Sequence, residues 1–435
     1  MTPYYVDAHL TVHQGDARAV LADLPAESVH CVVTSPPYWG LRDYGVPGQL
    51  GLEATPEAYV AALVDVFREV RRVLRADGTV WLNLGDSYAA ARGGTTMPAE
   101  TLAGGENGWM PDGSRVNRDR HDGYSPSRNA SAIGLKHKDL VGIPWRVAFA
   151  LQADGWYFRS DIIWSKPNPM PESVTDRPTK SHEYLFLLSK SARYYFDADA
   201  VREAAMLTGG GERATPDKAA RDGQTNNGTG LTTLRSKDLP AGRNIRTVWT
   251  IATQPYPGAH FATFPEKLVE PCVKAGTSER GVCPECGAPW VRVVERTPNP
   301  SKGTNTGIDM SGGAAKTSNP QTSNGMHRNG TNVAAPAPTT TGWRPTCAHY
   351  TPDGEADFPV EWQAKTRTWR TEKRPTFSGA YATVLAVVLD PFAGTGTVGL
   401  VAQYLGRRAV LIDLSADYLV QCLERNRQVP LGLGA

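Results

Sequence analysis

Between residues 56 and 76 the apolar side chains Tyr59, Leu63, Val66, Val70, Val73 and Leu74 recur at helical spacing with charges between them. That spacing gathers them on one face and predicts an amphipathic helix. Pro56 near its start and Gly78 beyond its end punctuate it. Short apolar runs at 10–13, 29–33, 79–84, 155–165, 183–189, 387–389 and 409–412 read as strands. Helical patterns at 17–24, 144–153, 265–275 and 398–405, and a last one reaching Asn426, alternate with them. Strands alternating with helices predict an α/β fold on a mostly parallel sheet. Three stretches break the pattern: 91–136 is rich in Gly, Ser, Asn, Arg and Asp, 205–243 is polar and Gly-rich, and 299–341 is a low-complexity tract. They read as long loops, the last as disordered, inserted where extra length costs little entropy.

Composition narrows this picture. The chain has 435 residues, enough for one large core with insertions. Its 46 Lys and Arg against 44 Asp and Glu make it no polycation, so any nucleic-acid contact rests on local basic clusters. Two such clusters exist. Arg115, Arg118, Arg120, Arg128, Lys136 and Lys138 sit among Ser, Asn and Gly, and Trp362, Lys365, Arg367, Trp369, Arg370, Lys373 and Arg374 interleave bases with aromatics. Each reads equally as a phosphate contact or as a solvated face. No run of about 18 apolar residues argues for a membrane span, and the N-terminus lacks a basic head followed by an apolar stretch. A cytosolic chain with reduced cysteines is expected.

Three clusters carry candidate chemistry. The strand at 387–389 opens into Asp390-Pro391-Phe392-Ala393-Gly394-Thr395-Gly396-Thr397 and then a helix. Glycines there let backbone approach a ligand, and the next strand ends about 20 residues on at Asp413, a carboxylate suited to ribose hydroxyls. The strand at 29–33 opens into Ser35-Pro36-Pro37-Tyr38. Two prolines remove backbone donors, so this loop can aim acceptors outward, Ser35 Oγ and the Pro36 carbonyl, with the flat Tyr38 ring beside them. Third, Cys283-Pro-Glu-Cys286 with Cys347-Ala-His349 fits a structural Cys3His zinc ribbon. Cys31 and Cys422 read as small core residues.

The 390–397 loop resembles the S-adenosylmethionine (SAM) motif of amino-methylating DNA methyltransferases, and Ser35–Tyr38 resembles their catalytic tetrapeptide. Catalytic motif first and cofactor motif last resembles the family's β group. The resemblance implies a Rossmann-like doubly wound SAM-methyltransferase sheet in permuted order, with polar loop insertions and a zinc-ribbon-like module. It assigns cofactor contacts to Asp16, Phe264, Asp390, Phe392, Gly394, Gly396, Thr397 and Asp413. In this family the serine form usually accompanies cytosine-N4 methylation and the aspartate form adenine-N6. The expected activity is therefore site-specific N4-cytosine methylation of flipped bases in duplex DNA, with adenine-N6 as the alternative.

The stretches Leu82–Tyr88, Asp161–Asn168 and Arg177–Glu183 are also similar to family segments. Lys166, Asn168 and His182 within them stand as pocket or DNA contacts or as exposed loop residues. The resulting division is a catalytic half at 1–90, a mobile insertion at 91–136, core at 137–200, and a variable target-recognition region at 201–250. The start of the SAM-binding half follows at 251–280, the zinc-ribbon insertion at 281–350, a basic aromatic linker at 351–383 and the rest of the SAM-binding half at 384–435. No endonuclease pattern stands out, so a stand-alone modifier, monomer or homodimer, is expected, with a restriction partner left open. Methylation of RNA or protein amino groups and non-catalytic DNA binding are the rival classes.

Overall fold

The computed structural model describes residues 2–41, 46–89, 130–203, 243–254, 265–295, 339–363 and 368–427. In chain order its elements begin with β1 (Tyr5–Val6), β2 (Leu10–Gln14), α1 (Ala17–Asp23), β3 (Val29–Thr34), α2 (Pro56–Val73) and β4 (Leu74–Leu84). Then come α3 (Ile143–Ala153), β5 (Tyr157–Ser165), β6 (His182–Ser189), β7 (Val248–Thr250) and α4 (Glu266–Gly276). The C-terminal part holds β8 (Trp290–Glu295), β9 (Thr339–Pro345), β10 (Gly354–Gln363), β11 (Thr368–Thr376), β12 (Val387–Asp390), α5 (Thr397–Tyr404), β13 (Arg408–Asp413) and α6 (Ala416–Arg427).

Nine strands form one sheet in the order β1-β2-β13-β12-β3-β4-β6-β5-β7. Its centre, from β2 to β4, is parallel; β6 runs antiparallel between β4 and β5. Side chains alternate across the strands. Val32, Val80 and Leu82 face the core under α1, α2 and α3, and Cys31, Val33 and Trp81 face the core under α4, α5 and α6. Burial on both faces explains why the central strands read as continuous apolar runs.

Two differences from the pattern reading have local causes. The helix from Pro56 ends at Val73, and Leu74 already turns extended (φ −73°, ψ 137°) and pairs with Val29 in the sheet. Within the stretch read as a linker, β10 and β11 pair as an antiparallel hairpin, from Gly354↔Thr376 to Gln363↔Thr368. β10 alternates Ala356, Phe358, Val360 and Trp362 with Glu355, Asp357, Pro359 and Glu361, but β11 is mostly charged and polar, so the basic character of the stretch masks the strand pattern. Among the described residues, no helix is long and apolar enough to cross a membrane.

Candidate active site

β3 and β12 are adjacent parallel strands, with Val388 opposite Cys31 and Leu389 opposite Val32. Ser35–Tyr38 and Asp390–Thr397 therefore leave the same end of the sheet side by side. This is where ligands bind in open α/β sheets. Thr34 Oγ1 donates to Asp390 Oδ1 at 2.7 Å and joins the two loops directly.

Asp390 is fully buried; its Oδ1 also accepts from Phe392 N at 3.1 Å, while Oδ2 has no partner. Burial pushes its carboxyl up to about 7 against the pull of Thr34 and Phe392. Gly394 has φ +50° with open space where a Cβ would stand, and Gly396 (φ +75°) packs too closely on Asn426 and Cys422 for any side chain. Asp413 ties the loop down, accepting from Gly394 N at 2.8 Å and Ser415 N at 2.9 Å. Thr397 begins α5, and its Oγ1 accepts from Arg425 at 2.8 Å; Arg425 also donates to Glu266 at 2.9 Å. Arg425, which the sequence reading passed over, thus pins the start of α4 against the loop. Asp16 caps α1 through the Arg18 and Ala19 amides, next to Gly15, whose N–H donates to the Asp413 carbonyl at 3.0 Å. Phe264 lies outside the described residues.

Around the tetrapeptide, Tyr59 OH donates to the Pro37 carbonyl at 2.8 Å and fixes the loop. Tyr38 lies with its ring against Gly85, where a Cβ would come within 2.4 Å of Cε2. Its hydroxyl donates to Glu183 Oε2 at 2.7 Å and lies 3.1 Å from Asn83 Oδ1. Ser35 Oγ stands 3.3 Å from the same Asn83 Oδ1. Lys166 pairs with Glu183 Oε1 and sits over the Trp164 ring, 4.2 Å from its centroid. Lys166 therefore belongs to this pocket. Asn168 instead accepts from Thr253 N at 3.0 Å, and His182 packs edge-on against Tyr184. Asn83 and Glu183 hold places in the site that residue type alone did not assign. The signal was register: β4 and β6 pair Asn83 with Leu185 and Leu84 with Tyr184, beside Glu183.

At the other end of the sheet, one donor atom from each of Cys283, Cys286, Cys347 and His349 lies within 4.8 Å of the others. Burial raises the Cys283 thiol, but backbone N–H groups of Cys286 and Glu285 and the side chains of His349 and Tyr350 outweigh it and bring it to about 6. Gly287 N donates to the Cys283 carbonyl at 2.8 Å, closing the knuckle. His30 on β3 contacts the Gly287 carbonyl at 3.0 Å and accepts from Val387 N at 3.0 Å, and Arg75 donates to the Cys286 carbonyl at 2.6 Å. Of the basic clusters, Arg115, Arg118, Arg120, Arg128, Lys365 and Arg367 lie outside the described residues; Lys138 pairs with Asp176 and Arg370 with Glu372.

Residues 29–283 and 380–424, more than half of the chain, match the family described as DNA methylase, with N6 and N4 members. The chain is 46% identical over 267 residues to the Type II methyltransferase M.Cfr9I of Citrobacter freundii, covering 61% of this chain and 72% of that protein. It is 47% identical to M.SmaI of Serratia marcescens over 61% of this chain and 75% of that protein. Among solved structures, the PvuII DNA methyltransferase (cytosine-N4-specific) is similar with TM-score 0.47 at 14% identity, covering 97% of this chain and 88% of that one. The chain belongs to the N6/N4 DNA methylase family.

Proposed function

We propose that this chain transfers a methyl group from SAM to the N4 amino group of cytosine in duplex DNA, within a β-group permuted methyltransferase core. The observation that carries the reading is the joining of the two loops through Thr34 and Asp390. The orphaned, buried Asp390 Oδ2 suits a cationic group of the ligand. The open cradle at Gly394 lets it approach the backbone. Asp390, Phe392, Gly394, Gly396, Thr397 and Asp413 would hold SAM there, with Asp16 at the flank; Phe264, which the resemblance adds, lies outside the described residues. SAM supplies an activated methyl group, so the chain needs no covalent nucleophile.

The protein's share is positioning. Ser35 Oγ and the Pro36 carbonyl accept the hydrogens of the base's amino group, which turns the nitrogen lone pair toward the methyl carbon. Bound SAM would supply the methyl carbon and leave as the neutral thioether, and the methylated nitrogen would shed one proton to solvent. Serine in place of aspartate at position 35 supports cytosine over adenine. Cys283, Cys286, Cys347 and His349 would hold one structural zinc, filling all four positions of a tetrahedral site.

Labelled methyl transfer from SAM to unmethylated duplex DNA tests the assignment. Ser35→Ala is expected to cut the rate about 100-fold while SAM binding persists. A wild-type rate in that variant would refute Ser35 as the amino-group acceptor.

A further inference from the structure

We infer that Glu183 is a positioning residue for methyl transfer, setting the proton order of the Tyr38–Asn83–Ser35 chain so that Ser35 is left to accept. The inference deepens the reading above and rests on it.

A serine hydroxyl can accept from the base's amino group only if its own proton points elsewhere. Asn83 Nδ2 donates to the Tyr184 carbonyl at 3.1 Å, which turns Oδ1 toward the pocket. That one oxygen has two claimants, Tyr38 OH at 3.1 Å and Ser35 Oγ at 3.3 Å. By distance alone Tyr38 would take it. Glu183 changes the outcome, because its carboxylate is a charged acceptor at 2.7 Å and draws the Tyr38 proton more strongly than a neutral amide does. Asn83 Oδ1 is then available to the Ser35 proton, and the Ser35 lone pairs face the site. Lys166 pairs with the other Glu183 oxygen, Oε1, and leaves Oε2 to Tyr38; the Lys166 and Glu183 side chains are 18% and 16% exposed. Burial and the Glu183 charge hold the Tyr38 phenol well above its usual range, so Tyr38 stays a donor.

Glu183→Gln keeps the shape and reverses the order. Lys166 attracts the Gln carbonyl, the Gln amide then points its N–H at Tyr38, and the Tyr38 proton moves to Asn83 in competition with Ser35. The experiment is single-turnover transfer of labelled methyl from SAM to unmethylated phage duplex DNA, with folding checked by thermal melting. Glu183→Gln is expected to slow transfer about tenfold, the scale of one misdirected hydrogen bond. Adding Tyr38→Phe removes the competing proton, so the double variant is expected to be faster than Glu183→Gln alone. A merely structural role for Glu183 predicts the opposite, further loss on the second substitution. A wild-type rate in Glu183→Gln, or a double variant no faster than it, overturns the inference. Asn83→Ala, which leaves Ser35 Oγ only its longer 3.5 Å contact with Tyr38 OH, provides an independent arm: slowed transfer supports the proton order, and an unchanged rate overturns it. Ser35→Ala run alongside separates the two levels, since a wild-type rate there removes the underlying reading itself.

Discussion

Asp390 shows how a single buried side chain can carry a pH dependence. Its carboxyl is buried and raised from 3.8 to about 7, so folding favours the protonated form. The stabilising contribution is full below about 3.8 and is lost as pH rises through about 7. The ligand-free protein is therefore expected to melt at lower temperature at pH 8 than at pH 5.5, with Asp390→Asn flattening that slope. Binding of a cationic group at Asp390 draws off the proton, so SAM affinity should rise over the same window. Calorimetry across pH checks both, and an unchanged slope in Asp390→Asn would contradict the assignment. At this scale Ser35–Tyr38 and Asp390–Thr397 were legible because each is a contiguous string with its own loop chemistry. Glu183 and Asn83 were not, because they meet only through the pairing of β4 with β6, and no local rule ties position 83 to position 183.

The elements themselves were legible where burial imposes a period, as in α2 and the central strands. The β10–β11 hairpin is not legible because only β10 alternates apolar residues, while the charged and polar β11 gives the stretch the look of a basic linker. The Cys/His knuckle shows what elements do together. Its Cys286 and Gly287 carbonyls are held by Arg75 and His30, at the ends of β4 and β3 away from the active site, and His30 also holds the first residue of β12. The knuckle thus ties the two strands that carry the active-site loops. One zinc per chain is expected by elemental analysis. Chelation or Cys283→Ser should lower the melting temperature by roughly 5 °C or more. Full stability in a metal-free preparation would contradict a structural metal.

For the whole molecule, topology is what makes two distant strings one site. Positions 34 and 390 are joined because the C-terminal β12 inserts between β13 and β3. The alternation of strands and helices already pointed to an α/β sheet, but that insertion is a property of the complete fold, which periodicity alone does not give. The base acted on is likewise a property of the complete site, and it is the central claim. The direct test is mass spectrometry of nucleosides from unmethylated duplex DNA incubated with the protein and SAM. The account predicts N4-methylcytosine. N6-methyladenine in its place, or no methylated nucleoside from a protein shown to bind SAM, would contradict it.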